Sequence, residues 1–249
     1  MTALTGKNAL VTGGSQGIGA AIAKRLASDG ATVALTYAHA ESEAKATAVR
    51  DEIVANGGKA VVLEFDALDD ARIGTLIGRA VEALGSLDIL VNNAGIGIYK
   101  TVDQVTDEDV AKTLQVNVSA PYRLARDAAE VLPEGGRIIS IGSTVATRVP
   151  RQTSSIYAAS KAALIGMTKG MARDLAPRGI TVNMVSPGPT RTQFTPPADS
   201  PAAVAMMNLN AIARFADPTE IAGLVAYVAS PDSSYVTGAN LCVDGGYTV

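Results

Sequence analysis

Residues 8–28 read NALVTGGSQGIGAAIAKRLAS, and the reading of this stretch decides the fold. Asn8–Thr12 is a short apolar run of strand character. Thr12–Gly19 then crowds four glycines into eight positions, and the residues after it carry Ile and Leu at helical spacing. A strand that turns through glycines straight into a helix is the opening unit of a parallel α/β layer. Glycines permit the tight turn and let the backbone approach a pyrophosphate. The helix N-terminus then offers N–H groups and a positive dipole end to an anion. The candidate contacts are Gly13, Ser15, Gln16, Gly17 and Ile18, with Gly19 allowing the helix to lie close to the strand.

Outward from this unit, strand-like runs recur at Thr32–Tyr37, Ala60–Phe65, Leu87–Asn92, Arg137–Ile141, Thr181–Val185 and Asn240–Val243. Helix-like segments lie between them near 17–28, 41–56, 69–84, 107–131, 155–176 and 217–229. Strands apolar on both faces, alternating with helix-length crossovers, predict a seven-stranded parallel sheet flanked by helices on both faces. No linker, repeat or change of composition divides the chain, so residues 1–249 are expected to form a single α/β domain of the doubly wound kind. One irregular stretch, SPGPTRTQFTPPADS at 186–200, is longer than an ordinary connection. With the apolar AVAMMNLN that follows, it predicts a binding loop or lid at about 187–210.

Composition excludes several functions. The net charge of −3 comes from acidic and basic residues mixed along the chain, without a basic cluster, so no nucleic acid partner is expected. No run of eighteen apolar residues exists, so no membrane span is expected. The opening MTALTGKNALVTGG lacks the pattern of a secretory leader. A single Cys242 and a single His39 leave no internal disulfide and no nitrogen–sulfur metal site. These readings point to a cytoplasmic protein.

The stretch 154–164, SSIYAASKAAL, places Tyr157 and Lys161 four positions apart, on one face of a helix. A free phenol has a pKa of about 10, and a fixed cation beside it lowers that value. The pair therefore reads as a proton-transfer device. The small Ala158, Ala159, Ala162 and Ala163 are expected to let neighbours pack tightly around it.

The glycine spacing is G-x-x-x-G-x-G rather than G-x-G-x-x-G, and here the chain resembles the short-chain dehydrogenase/reductases. Further matches come in register: Asp66 at the end of the third strand, Asn92-Asn93-Ala94-Gly95 after the fourth, Asn117 in QVNVSAP and Ser143 in IISIGS. Tyr157, Lys161, Pro187-Gly188 and Thr192 follow, so the match runs from about residue 5 to the C-terminal VDGGYTV. The resemblance implies a Rossmann fold and a catalytic set of Asn117, Ser143, Tyr157 and Lys161. In that set Tyr157 exchanges the proton, Ser143 hydrogen-bonds the substrate oxygen, and Lys161 holds the nicotinamide ribose. Asn117 holds a water leading from Lys161 toward solvent. It further implies that Asp66 and Ala67 meet the adenine, that Asn93, Ala94 and Gly95 line the cofactor, and that Pro187, Gly188, Thr190 and Thr192 hold the carboxamide.

In this fold an acidic residue after the second strand selects against a 2′-phosphate. The corresponding stretch is TYAHA, with Tyr37 where NAD-preferring relatives carry Asp, so NADP(H) is the expected cofactor. Gln16, His39 and Lys45 are candidate phosphate contacts; Glu41 and Glu43 weigh the other way. The substrate pocket is expected from Gly95–Ile96, Thr144 to Thr153, Gly188 and the loop beyond. GGRIISIGS and YVTGANLCVDGG are similar to 3-oxoacyl-carrier-protein reductases, and LPEGGRI to polyhydroxynaphthalene-reductase-like members. The acidic Pro133-Glu134 speaks against docking an acidic carrier.

The expected function is a carbonyl reductase or alcohol dehydrogenase for a small or medium, mostly apolar ketone. Alternatives are a 3-oxoacyl-carrier-protein reductase and a catalytically silent dinucleotide-binding regulator. Enoyl reductases space their Tyr and Lys wider. The resemblance also implies a homotetramer.

Overall fold

The computed structural model describes residues 2–193, 195–197 and 199–249. Its sheet has seven parallel strands: β1 Asn8–Val11, β2 Thr32–Tyr37, β3 Lys59–Glu64, β4 Ile89–Asn92, β5 Arg137–Ile141, β6 Thr181–Pro187 and β7 Asn240–Val243. They lie in the order β3-β2-β1-β4-β5-β6-β7. The chain moves outward from β1 to β3, then returns to the other side of β1 with β4. The strand order therefore reverses between β1 and β4. In an open α/β sheet that switch point leaves a crevice at the carboxyl ends of the strands. The turns after β1 and β4 are the glycine turn and Asn93–Gly95.

Among the described residues eight α-helices accompany the strands: α1 Gly17–Ser28, α2 Ala40–Ala55, α3 Asp70–Leu84, α4 Asp107–Leu114, α5 Ala120–Val131, α6 Ser155–Leu175, α7 Pro201–Met207 and α8 Pro218–Ala229. Alternate strand residues face opposite layers. On one side Ala9, Val11, Val33 and Val91 pack against α1 and α8 with Ile22, Leu26 and Val225. On the other Leu10, Ala34, Leu90 and Ile138 pack against α3, α5 and α6 with Leu76, Leu124 and Met171. Strands buried on both faces account for the continuous apolar runs in the sequence.

The helix ends follow local chemistry. Asp69 caps α3 by accepting from Ala71 N and Arg72 N at 2.9 and 3.2 Å, and Gly85 ends that helix at φ 87°. Asp217 caps α8 while Glu220 returns to accept from Asp217 N at 2.8 Å, with Pro218 as the first helical residue.

Three sequence expectations change. The helix expected over 107–131 is interrupted at Gln115–Ser119 by one wider π-helical turn that contains Asn117. The stretch 187–210 is not irregular throughout: it ends in α7, and Thr190 bridges to Ala216. Phe194 and Ala198, which belong to the expected lid, lie outside the described residues. Ala159, Ala162 and Ala163 are exposed, so they line the outer face of α6 and do not pack around Tyr157. Among the described residues no helix is long and apolar enough to cross a membrane.

Leu90, fully buried in central strand β4, is the most direct probe of this core. Leu90→Ala should lower the unfolding free energy by about 2–5 kcal/mol. Val54→Ala on the exposed side of α2 should stay within about 0.5 kcal/mol. Urea titration of both variants checks the difference.

Candidate active site

The glycine turn is held from below by two threonines. Thr12 Oγ1 accepts from both Asn93 N and Ala94 N at 3.0 Å. Thr36 accepts from Gly13 N through its hydroxyl and from Gly14 N through its carbonyl, each at 2.9 Å. Asn93 Nδ2 donates to Thr12 O at 2.9 Å and Gly13 O at 3.1 Å, locking the turn after β4 to the turn after β1. Gly13 and Gly17 have φ of 65° and 55°, which side chains rarely adopt. A Cβ on Gly19 would lie 2.2 Å from Gly13 O and 2.4 Å from Asn93 Nδ2, so only glycine lets α1 start this close to the turn.

Around this turn, Ser15 is buried, Ile18 is half-buried against the α1 layer, and Gln16 Oε1 accepts from Lys45 Nζ at 3.3 Å. The loop after β6 comes back to the same place: a Cβ on Gly17 would sit 3.5 Å from Thr192 Cγ2. Thr190 Oγ1 donates to Gly188 O at 2.9 Å. Gly188 lies against Asp244 so closely that a Cβ there would fall 2.7 Å from the Asp244 Cα. Pro187 ends the fully buried β6.

At the β2 and β3 ends, Tyr37 closes its strand and Asp66 forms a turn, its carboxylate accepting from Leu68 N at 2.9 Å, with Ala67 buried beside it. The sequence shows no carboxylate at Tyr37, yet the fold brings two beside it. Partial burial, then Glu43 from the first turn of α2, then Glu64, raise the Tyr37 phenol above its usual value. His39 precedes α2, and its backbone is engaged by Ser42: His39 N donates to Ser42 Oγ at 3.2 Å and Ser42 Oγ donates to His39 O at 2.7 Å. Of the three candidate phosphate contacts, Gln16 and Lys45 are brought together and His39 starts a helix.

The second half of the site surrounds α6. Lys161 is 5% exposed and donates from Nζ to Ile141 O, the last carbonyl of β5, at 3.0 Å. Its ammonium lies 5.9 Å from the centre of the Tyr157 ring. Ser143, two residues past β5, is extended and accepts from Val145 N at 3.3 Å. Thr153, two residues before α6, has φ 70°, a strained conformation for a β-branched residue. A Cβ on Gly95 would stand 3.4 Å from Lys161 Nζ and 3.3 Å from Asn117 Oδ1. The glycine therefore lies close against these two side chains, where a Cβ would crowd them. The bare backbone of Gly13, Gly17 and Gly95 at the switch point is what a dinucleotide lying across it would need.

Asn117 reaches inward because of the wide turn at 115–119. Its Oδ1 accepts from Ile96 N at 2.9 Å, and its Nδ2 donates to Ile96 O at 2.9 Å and Ser160 Oγ at 3.0 Å. Ser160 Oγ in turn donates to Tyr157 O at 2.7 Å. Both amide hydrogens are thus taken, and the side chain clips the segment after Gly95 to α6.

The electrostatics differ from the expectation drawn from the Tyr–Lys spacing. Burial pushes the Tyr157 phenol well above its ordinary value; the neighbouring Tyr99 adds to this, and the hydrogen bond with Ser143 opposes it. Burial lowers the Lys161 amine to about 8. Desolvation is the largest influence on both groups. In the chain alone, Tyr157 keeps its proton.

Sequence reasoning missed four members of this site. Thr12 and Thr36 are strand-end residues whose hydroxyls point into the turn, and Thr12 is legible only through its place before Gly13. Ser160 is the spacer between Asn117 and Tyr157. Tyr99, whose ring centre is 5.5 Å from that of Tyr157 at 55°, carries no sequence signal.

With this geometry in view, the chain compares as follows. Residues 13–248 match a family model described as enoyl-(acyl carrier protein) reductase. The chain is 44% identical to the cyclic-di-GMP-binding biofilm dispersal mediator protein of Escherichia coli (strain K12), over 99% of each. It is 40% identical to the 3-oxoacyl-[acyl-carrier-protein] reductase of the same organism, over 97% of each. It also superimposes on the crystal structure of a short-chain dehydrogenase from Burkholderia cenocepacia J2315 in complex with NADP. The TM-score is 0.95 and the identity 50%, over 99% of this chain and 100% of that one.

The buried amine makes a test of the electrostatics. Lys161 titrates at about 8 when folded, against 10.5 for the exposed group. Between those values the unfolded chain binds more protons, so folding stability rises with pH across this window. Lys161→Met removes that dependence. The stability of the parent relative to the variant should climb by about 3 kcal/mol from pH 7 to 10.5. Urea melts across that range read it, and a flat difference would mean that the amine is not desolvated.

Proposed function

The chain belongs to the short-chain dehydrogenase/reductase family, and from that premise we propose that it interconverts a ketone and a secondary alcohol with NADP(H). One observation carries this reading: Tyr157, Ser143 and Lys161 converge at the carboxyl end of the sheet, with Lys161 close beside the bare backbone of Gly95. When bound, the nicotinamide supplies the hydride in reduction and takes it in oxidation. Tyr157, held protonated by burial, gives its hydrogen to the carbonyl oxygen. Ser143 hydrogen-bonds the same oxygen and steadies the charge that develops there. Lys161 holds the ribose and refills the proton.

Phosphate binding is assigned to Gly13, Ser15, Gln16, Gly17, Ile18 and Gly19, the adenine to Asp66 and Ala67, and the nicotinamide side to Asn93, Ala94, Gly95 and the Pro187–Thr192 turn. NADP(H) is favoured by Tyr37 at the selecting position, by Lys45 at the rim of the glycine turn, and by the NADP in the 50% identical Burkholderia neighbour. Glu43 beside Tyr37 works in the opposite sense. The four-residue step from Tyr157 to Lys161 favours carbonyl over enoyl reduction within the family. The segment at 187–210 is the proposed substrate lid. A homotetramer is the proposed assembly. The open outer face of α6, exposed Tyr122 and Val131 on α5, and exposed Val249 at the tail support it.

A second reading, a catalytically silent dinucleotide-binding regulator, is favoured by the name of the 44% identical Escherichia coli protein. Absorbance at 340 nm separates the two. With NADPH and a panel of ketones the parent should consume cofactor, faster than with NADH. Tyr157→Phe should lose about 10²–10⁴-fold in kcat. Full binding of cofactor without turnover by the parent would favour the regulator.

A further inference from the structure

Resting on the reading of Tyr157 as the proton donor, we propose that Tyr99 is a specificity-determining residue whose open ring receives a planar aryl substituent of the substrate ketone.

The segment that carries Tyr99 is a short arch pinned at both feet. At one end Asn117 holds both the N–H and the carbonyl of Ile96 at 2.9 Å. At the other Lys100 Nζ meets Asp109 Oδ2 at 2.6 Å. Between the feet, Tyr99 folds back over Gly97: a Cβ there would lie 2.8 Å from Tyr99 Cε2 and 2.9 Å from its hydroxyl oxygen. Only the bare backbone of glycine lets the ring lie so low. In that position it meets the Tyr157 ring at 5.5 Å and 55°, the geometry of a favourable aromatic pair.

The ring is seated on Gly97 and against Tyr157, yet Tyr99 is 61% exposed. A large aromatic side chain seated on bare backbone and left open beside the reacting phenol is a surface for a ligand. A ketone whose oxygen reaches Tyr157 and Ser143 carries its substituents within a few ångströms of that phenol. A flat π-system there can stack on Tyr99, and a saturated ring of the same size cannot. Stacking of this kind is worth roughly three- to tenfold in relative affinity.

The test compares acetophenone with cyclohexyl methyl ketone, its saturated counterpart, by kcat/KM. Calorimetry, on protein loaded with NADP+, compares the binding of the corresponding alcohols, 1-phenylethanol and 1-cyclohexylethanol. Ratios between paired ligands cancel general damage to the site. The phenyl preference should survive in Tyr99→Phe and fall roughly three- to tenfold in Tyr99→Leu. It should also fall in Gly97→Ala, where the aromatic ring is intact but lifted. A phenyl preference that is absent in the parent, or unchanged in Tyr99→Leu and Gly97→Ala, overturns the inference. If the parent reduces neither ketone, the oxidoreductase reading falls. The calorimetric ratios then decide the role of Tyr99 alone.

Discussion

Lys161 is a buried amine satisfied by one carbonyl, Ile141 O at 3.0 Å, and the site is arranged around that constraint. Burying an ammonium is costly unless a partner accepts from it. The bond forms because α6 crosses the end of β5 at the residue where the strand stops. That crossing carries Tyr157, one turn earlier, to the mouth of the crevice, and Ser160 to the amide of Asn117. It also demands small neighbours. Gly95 lies close over the amine, where a Cβ would stand 3.4 Å from Nζ. At Gly142, just beyond the accepting carbonyl, a Cβ would fall 1.9 Å from Met184 Cε.

The same burial determines how the pair works. A lysine four residues after a tyrosine suggests a cation that draws the proton off a phenol. Here the low-polarity surroundings act on both groups in the direction of neutrality, raising the tyrosine and lowering the lysine. The resting state is thus a protonated phenol beside an amine close to its own titration point. That state is suited to donation: Tyr157 starts with the hydrogen that a carbonyl oxygen needs, and Lys161 is able to pass one on.

Most of the framework was legible in the residues because it rests on short-range rules. The strands follow from β-branched apolar runs. The first helix follows from the glycines before it, and the Tyr157–Lys161 pairing from the pitch of a helix. Asn117 and Lys161 stand beside Gly95, and Tyr157 beside Ser143 and Lys161, the four residues that the family resemblance implies as a set. The features that escaped depend on the whole fold. The π-turn at 115–119 widens the helix to deliver Asn117, and nothing in QVNVS signals it. Of the two carboxylates beside Tyr37, Glu43 is visible in the sequence as a counterweight, whereas Glu64 comes from the neighbouring strand β3 and does not show in TYAHA. Tyr99 gains its place from Asn117 and Asp109, eighteen and ten positions away. The sign of the Tyr157 shift comes from burial, which spacing does not reveal.

The central claim is that Tyr157 holds its hydrogen until a carbonyl oxygen takes it. Carbon-13 NMR of protein labelled at tyrosine Cζ tests this directly, with the Tyr157 resonance identified by its absence from Tyr157→Phe. The account predicts that in the protein alone this resonance keeps the chemical shift of a neutral phenol up to at least about pH 10. A resonance that half-titrates at or below neutral pH would show a stored phenolate and contradict it.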